Sequence, residues 1–170
     1  MTEDEKKQKF MELFAPLHKR LERFAMVTCR DVHTAKDVTS ETIRIAYEQF
    51  ESLRDEKAFL GYLFTIAKRV AANYLRKRLR TPSMDSELID EMASHAPRPD
   101  ASAELRLIFD AIDQLKPELR QAFMLFEVSG LSEKEIAELE GISHANVRVR
   151  VHRAKQKLRE ILGISEKVKQ

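Results

Sequence analysis

"LSEKEIAELEGISHANVRVRVHRAKQKL", Leu131 to Leu158, holds two helix starts and one sharp turn. Ser132 stands three residues before Glu135, the spacing of a capping box, in which hydroxyl and carboxylate tie off orphan amides at a helix start. Ile136, Ala137 and Leu139 give that helix its buried side. Gly141 makes the turn, and Ser143 can cap the next helix. A small residue, a glycine four later and an apolar residue six beyond that (Ala137, Gly141, Val147) describe a helix-turn-helix. The second helix contains a puzzle. Val147, Arg148, Val149, Arg150 and Val151 alternate, which is the sign of a half-buried strand. Yet Val147, Val151, Ala154 and Leu158 follow in steps of four, three and four, a helical seam that a strand does not explain. Val149, two residues from Val147, then points away from the core.

Composition sets the wider bounds. The chain has 170 residues, of which 43% are hydrophobic and 34% charged, with only four glycines and five prolines. Such a balance favours helix over sheet. The formal net charge of +2 names no partner. A single cysteine, Cys29, allows no disulfide framework and fits a reducing cytoplasm. No apolar run is long enough to span a membrane, and "MTEDEKKQKF" is too charged for a signal peptide. A soluble cytoplasmic protein without membrane insertion is expected.

Working back from the turn motif, the rest of the chain also follows helical spacing. Phe10, Leu13, Phe14, Leu17, Leu21 and Phe24 mark a helical run that Pro16 bends or splits. Further helices are expected from about Thr34 to Phe50 and from about Glu56 to Leu79. "RTPSMDSELIDEMASHAPRPDAS" then gathers three of the five prolines and a cluster of acids, and reads as a flexible acidic linker. Leu105, Ile108, Phe109, Ile112 and Leu115 resume the helical pattern. Pro117 suits a first helical turn, and Gly130 ends the helix it opens. The expected fold is all-α, with two small helical domains at 1–82 and 102–170 joined by a linker at 83–101.

Three groups of side chains carry chemistry. On the outer face of the last helix Val149 lies beside His152, flanked by Arg148 and Arg153. An apolar side chain among cations can meet a thymine methyl while arginines contact guanine edges and phosphates. The bland alternative, a solvated basic helix with one stray valine, loses ground because the turn motif is attached. In "KAFLGYLFTIAKRVAANYLRKRLR" no acid occurs between Lys57 and Met84. Leu60, Phe64, Ala67, Ala71 and Tyr74 form one side of that helix. Tyr62, Arg69, Asn73, Arg76 and Arg80 gather opposite. Either this is a stripe where a ring stacks on an unpaired base and cations follow phosphates, or it is a solvated basic face with an incidental tyrosine. Asp37 and Glu41, one turn apart, either complement the dipole of their helix N-terminus or dock on a basic partner. Spacing alone favours the first.

Taken together, these stretches resemble the sigma factors of bacterial RNA polymerase, in their small two-domain extracytoplasmic-function class. The resemblance runs from about Phe10 to Leu158. "AKDVTSETI" is similar to the segment that binds the polymerase clamp helices, with Asp37 and Glu41 at acidic family positions. "FLGYLFTIAKRVAANYLRK" resembles the segment that opens and reads the proximal promoter box. "EIAELEGISHANVRVRVHRA" resembles the reader of the distal box, where Asn146 joins Arg148, Val149, His152 and Arg153. Tyr62 stands where tryptophan is usual, Arg69 where asparagine is common, and Asn73 where aspartate is common. Ser40 replaces a frequent glutamine, and Asn146 a usual threonine. The resemblance implies core RNA polymerase and promoter DNA as partners. It also implies an anti-sigma protein that holds the factor inactive, and a monomer when free.

Two other classes fit less well. An autonomous helix-turn-helix regulator usually dimerises across two half-sites, and no dimer seam is visible here. An enzyme would need a site. The five histidines, His18, His33, His95, His144 and His152, show no paired metal-ligand spacing, and there is no Gly-rich phosphate loop or nucleophile elbow. No catalytic residue, metal or cofactor is expected.

Overall fold

A computed structural model describes residues 1–79 and 101–164, and among these every regular element is a helix. The chain divides into two compact units, Met1–Leu88 and Ile89–Gln170.

In the first unit, α1 (Glu3–Phe14) opens with a capping box between Thr2 and Glu5. Pro16 lies in a 3-10 turn, Ala15–Leu17, that separates α1 from α2 (His18–Cys29). Proline offers no amide hydrogen and clashes with the preceding turn, so the run splits here. Helix α3 (Val32–Glu48) begins two residues earlier than Thr34, because Asp31 is the cap. Its carboxylate accepts from the Thr34 amide at 2.8 Å. Two short 3-10 turns, Phe50–Ser52 and Glu56–Ala58, lead into α4 (Phe59–Arg78). Phe10 is the hub of the aromatic core. Its ring meets Tyr47, Phe50 and Phe59 edge-on at centroid distances of 5.3, 5.4 and 5.6 Å. Leu21, Val38, Leu63 and Phe64 are fully enclosed. Thr42 is enclosed too, and its hydroxyl is satisfied by donating to the Val38 carbonyl at 2.7 Å.

The second unit begins with α5 (Ala101–Asp113) and α6 (Pro117–Phe123), where proline does occupy the first turn. Helix α6 runs on into one π turn, Met124–Val128. Gly130 then adopts φ +71°, a left-handed conformation that ends the helix. Helices α7 (Glu133–Glu140) and α8 (His144–Leu162) complete the unit. Phe109, Ile112, Leu115, Leu125, Leu131, Ile136 and Val147 form its core. Three residues depart from the sequence pattern, and of these Leu105 and Leu139 are only half-buried. Ile108, spaced to face inward, is 42% exposed beside an exposed Leu107. Burial along the described part of α5 starts only at Phe109.

Candidate functional site

The helix-turn-helix forms as its caps require. The Ser132 amide donates to the Glu135 carboxylate at 2.7 Å, and the Glu135 amide donates back to the Ser132 hydroxyl at 3.1 Å. Gly141 takes φ +66°, a conformation that a side chain would strain. Ser143 caps α8 by accepting from the Asn146 amide at 3.1 Å. Val147, Val151, Ala154 and Leu158 are the buried residues of α8, as their spacing requires. Val149 is 43% exposed. The alternation is therefore helical: Val147 and Val151 hold α8 to its unit, and Val149 stands outside. Asn146, Arg148, His152 and Arg153 are exposed around it. Lys155 fastens the inner flank, paired with Glu127 and with its ammonium 5.4 Å from the Phe126 ring centre.

Sequence reasoning missed one contact at this surface. Arg148 reaches across the turn to Glu133 at the start of α7. Its Nη2 donates at 2.8 Å, and its Nε lies 3.2 and 3.3 Å from the two carboxylate oxygens. The hydrogen bond from Arg148 holds the Glu133 carboxyl below its usual range, against some desolvation and with help from the charge fields of Arg148 and His144. No helical period links positions 133 and 148. Only a helix-turn-helix template could have brought them together.

Helix α4 corrects the sequence reading of its faces. Phe59, Leu63, Phe64, Ile66, Ala67, Val70 and Ala71 are buried, while Leu60 and Tyr74, expected inward, are only half-buried. Both α2 and α3 pack on α4, so its core side is broader than one stripe and lies rotated toward Tyr62. Tyr62 is consequently not a freely exposed ring opposite the core. It is half-buried at the core edge, tilted against Phe59 at 6.1 Å, and its hydroxyl donates to the Ala46 carbonyl at 2.8 Å. Burial pushes its phenol above the ordinary value. Arg69, Asn73 and Arg76 are exposed in line with it, and Arg76 donates to the Asn73 side chain at 2.6 Å. Arg80, the last residue of the expected stripe, lies outside the described residues.

On α3, Asp37 is exposed and Glu41 half-exposed one turn on. Since α3 starts at Val32, no acid lies in its first turn. A helix dipole acts mainly within that turn, so it does not account for this pair. Glu41 is forked by Arg44, whose Nη2 and Nε donate at 2.7 and 2.9 Å, while Nη1 donates to Glu48 at 2.6 Å. Those hydrogen bonds hold the Glu41 carboxyl low, against some desolvation. Among the described residues, no three His, Cys, Asp or Glu side chains gather as metal ligands would, and no helix is long and apolar enough to cross a membrane.

Known proteins are similar to this chain. Two family profiles match: Sigma-70 region 2 over residues 13–81 and Sigma-70, region 4 over residues 105–158. The RNA polymerase sigma factor CarQ of Myxococcus xanthus is 34% identical over 155 residues, which cover 91% of this chain and 89% of that one. The ECF RNA polymerase sigma-E factor of Haemophilus influenzae is 35% identical over 132 residues, covering 71% of this chain and 70% of that one. In fold the chain is similar to the sigma factor RpoE solved in complex with the anti-sigma factor NepR from Bartonella quintana. That likeness has a TM-score of 0.67 at 22% identity and covers 92% of this chain and 98% of that one.

Proposed function

This chain belongs to the extracytoplasmic-function class of sigma factors, and from that premise we propose which of its surfaces does which part of the work. A sigma factor directs RNA polymerase to particular promoters and starts transcription there. The second domain, 102–170, reads the distal promoter box by placing α8 in the major groove. There Val149 meets a thymine methyl, Arg148 and Arg153 contact a guanine edge or phosphates, and Asn146 and His152 complete the surface. The first domain, 1–82, reads and opens the proximal box along Tyr62, Arg69, Asn73, Arg76 and Arg80. Asp37 and Glu41 dock on basic residues of the polymerase clamp. Residues 83–101 link the two.

The factor has no catalytic centre; polymerase supplies the chemistry and its metal. It works in the cytoplasm, is monomeric when free, and is held in check by an anti-sigma protein. That last partner is supported by the complex in which a protein of similar fold was solved.

The single observation that carries the reading is α8: an inward seam fully used by the fold, with Val149 left exposed among Arg148, His152 and Arg153. The test adds the purified protein to core polymerase and maps start sites on genomic DNA. Starts clustered behind one shared pair of boxes are expected, and starts no different from core polymerase alone would overturn the reading. Arg148→Ala should cost about 1–3 kcal/mol at promoters if the side chain grips a guanine. An autonomous regulator would instead show a dimer mass in solution and no dependence on core polymerase.

A further inference from the structure

We propose that Glu133 is a specificity-determining positioning residue of the helix-turn-helix: its carboxylate grips one edge of the Arg148 guanidinium and presents the opposite edge to a guanine. This rests on the reading of α8 as the distal-box helix, and it adds a part that α8 does not itself contain.

The geometry divides the guanidinium cleanly. Arginine has five N–H donors in a rigid plane. Glu133 takes the edge formed by Nε and one hydrogen of Nη2, with Nη2 at 2.8 Å and Nε at 3.2 and 3.3 Å. Nη1 and the outward hydrogen of Nη2 remain. That edge carries two parallel donors and can pair with guanine O6 and N7. The arginine side chain is 70% exposed despite its partner, so the free edge stays open to the groove.

Glu133 can act this way because its own place is fixed from outside the pair. It is the first residue of α7, held by the Ser132–Glu135 capping box and the left-handed Gly141. Arg148 belongs to the next helix, fixed independently by Ser143 and by the buried Val147 and Val151. A long side chain free in solution loses its rotamer freedom on binding. One already held by a carboxylate has lost much of it beforehand. The carboxylate has an opposite effect on charge, since an anion beside the groove repels phosphate. Positioning and repulsion therefore act in different directions on two measurable quantities.

The test uses polymerase holoenzyme assembled with each variant and a promoter library varied through the distal box, read at several salt concentrations. Glu133→Gln should leave overall binding unchanged or raised, while guanine preference falls about two- to tenfold at one base pair. Arg148→Ala should abolish preference at that same base pair. In the Arg148→Ala background, Glu133→Gln should have no further effect there. The substitution is on the surface and leaves the capping box intact, and a melting curve on each variant checks this. Should Glu133→Gln raise or lower binding to all sequences alike with guanine preference intact, Glu133 is a mere surface charge or a structural pair, and the inference is overturned. Should Arg148→Ala itself leave base preference untouched, the reading of α8 fails and takes the inference with it. A loss of preference with Arg148→Ala and none with Glu133→Gln overturns the inference alone.

Discussion

Helices α4 and α8 carry the two basic surfaces, and they are built into the fold to different depths. The four residues that α8 buries span an arc of about 60° at about 100° per residue. The seven that α4 buries span about 160°. A narrow seam leaves most side chains of α8 outside the core, although Arg148 still reaches Glu133 and Lys155 reaches Glu127. A broad one draws flanking residues into the packing, and Tyr62, about 40° beyond the edge of the α4 arc, is half-buried and hydrogen-bonded. Side chains on α8 are free to change what they read at little cost to the fold. On α4 the aromatic that would meet DNA is also a part of the wall.

The strongest way to break this contrast is to damage both cores. Phe64→Ala removes a fully enclosed ring from the broad α4 core and should cost about 3–5 kcal/mol in chemical denaturation. Val147→Ala, on the narrow α8 seam, should cost clearly less in the same assay. Equal costs would mean that the width of the arc does not measure how deeply a helix is anchored.

A surface that belongs to neither helix supplies the control. Reversing Asp37 and Glu41 together to lysine should weaken binding to core polymerase by several kcal/mol, because attraction becomes repulsion at a close interface. Stability should barely move, since Asp37 is exposed and the hydrogen bonds of Glu41 go to Arg44 on its own helix. A double mutant that binds core polymerase at wild-type affinity rejects the docking role.

Tyr62 sharpens the comparison from the α4 side. Tyr62→Ala should reduce open complexes on duplex promoters by about 1–3 kcal/mol, the usual size of base–aromatic stacking. It should also destabilise the fold, which a purely exposed ring would not do. Tyr62→Phe keeps the ring but loses the hydrogen bond to the Ala46 carbonyl, costing about 1 kcal/mol of stability, with strand opening retained. A pre-melted template should partly restore transcription by the alanine variant. If Tyr62→Ala transcribes duplex and bubble templates like wild type, the ring serves the fold alone.

The smallest expected change belongs to α8. Val149→Ser should alter stability by no more than about 0.5 kcal/mol, as surface changes usually do. It should nonetheless remove a preference for thymine at one base pair in a promoter library. Unfolding without any change in base preference would show that Val149 is core.

The same contrast explains what the sequence disclosed. Where a helix buries a narrow arc, periodicity alone finds the buried side. Val147, Val151, Ala154 and Leu158 were all legible, and so were the capping boxes and the split at Pro16, because each is local chemistry. Where the buried arc is broad, its centre cannot be located from spacing. Leu63, Ile66 and Val70 were missed as core for that reason, and Tyr62 was placed too far out. Asp31 was overlooked as the cap of α3, which made Asp37 look nearer to a helix terminus than it is. The Glu133–Arg148 fork depends on the angle of a turn and has no signature along the chain. Ile108 shows the converse: its spacing was helical, yet it stands 42% exposed.

Cys29 closes α2 and is the only cysteine in the chain. It is 1% exposed, and burial pushes its thiol up to about 12, only partly opposed by the positive charge of Arg78. At neutral pH the sulfur stays protonated and shielded, whereas alkylating reagents need a reachable thiolate. The native chain should therefore react only slowly with maleimides. Lys134→Cys, at an exposed position, should take a fluorophore selectively without Cys29 having to be replaced.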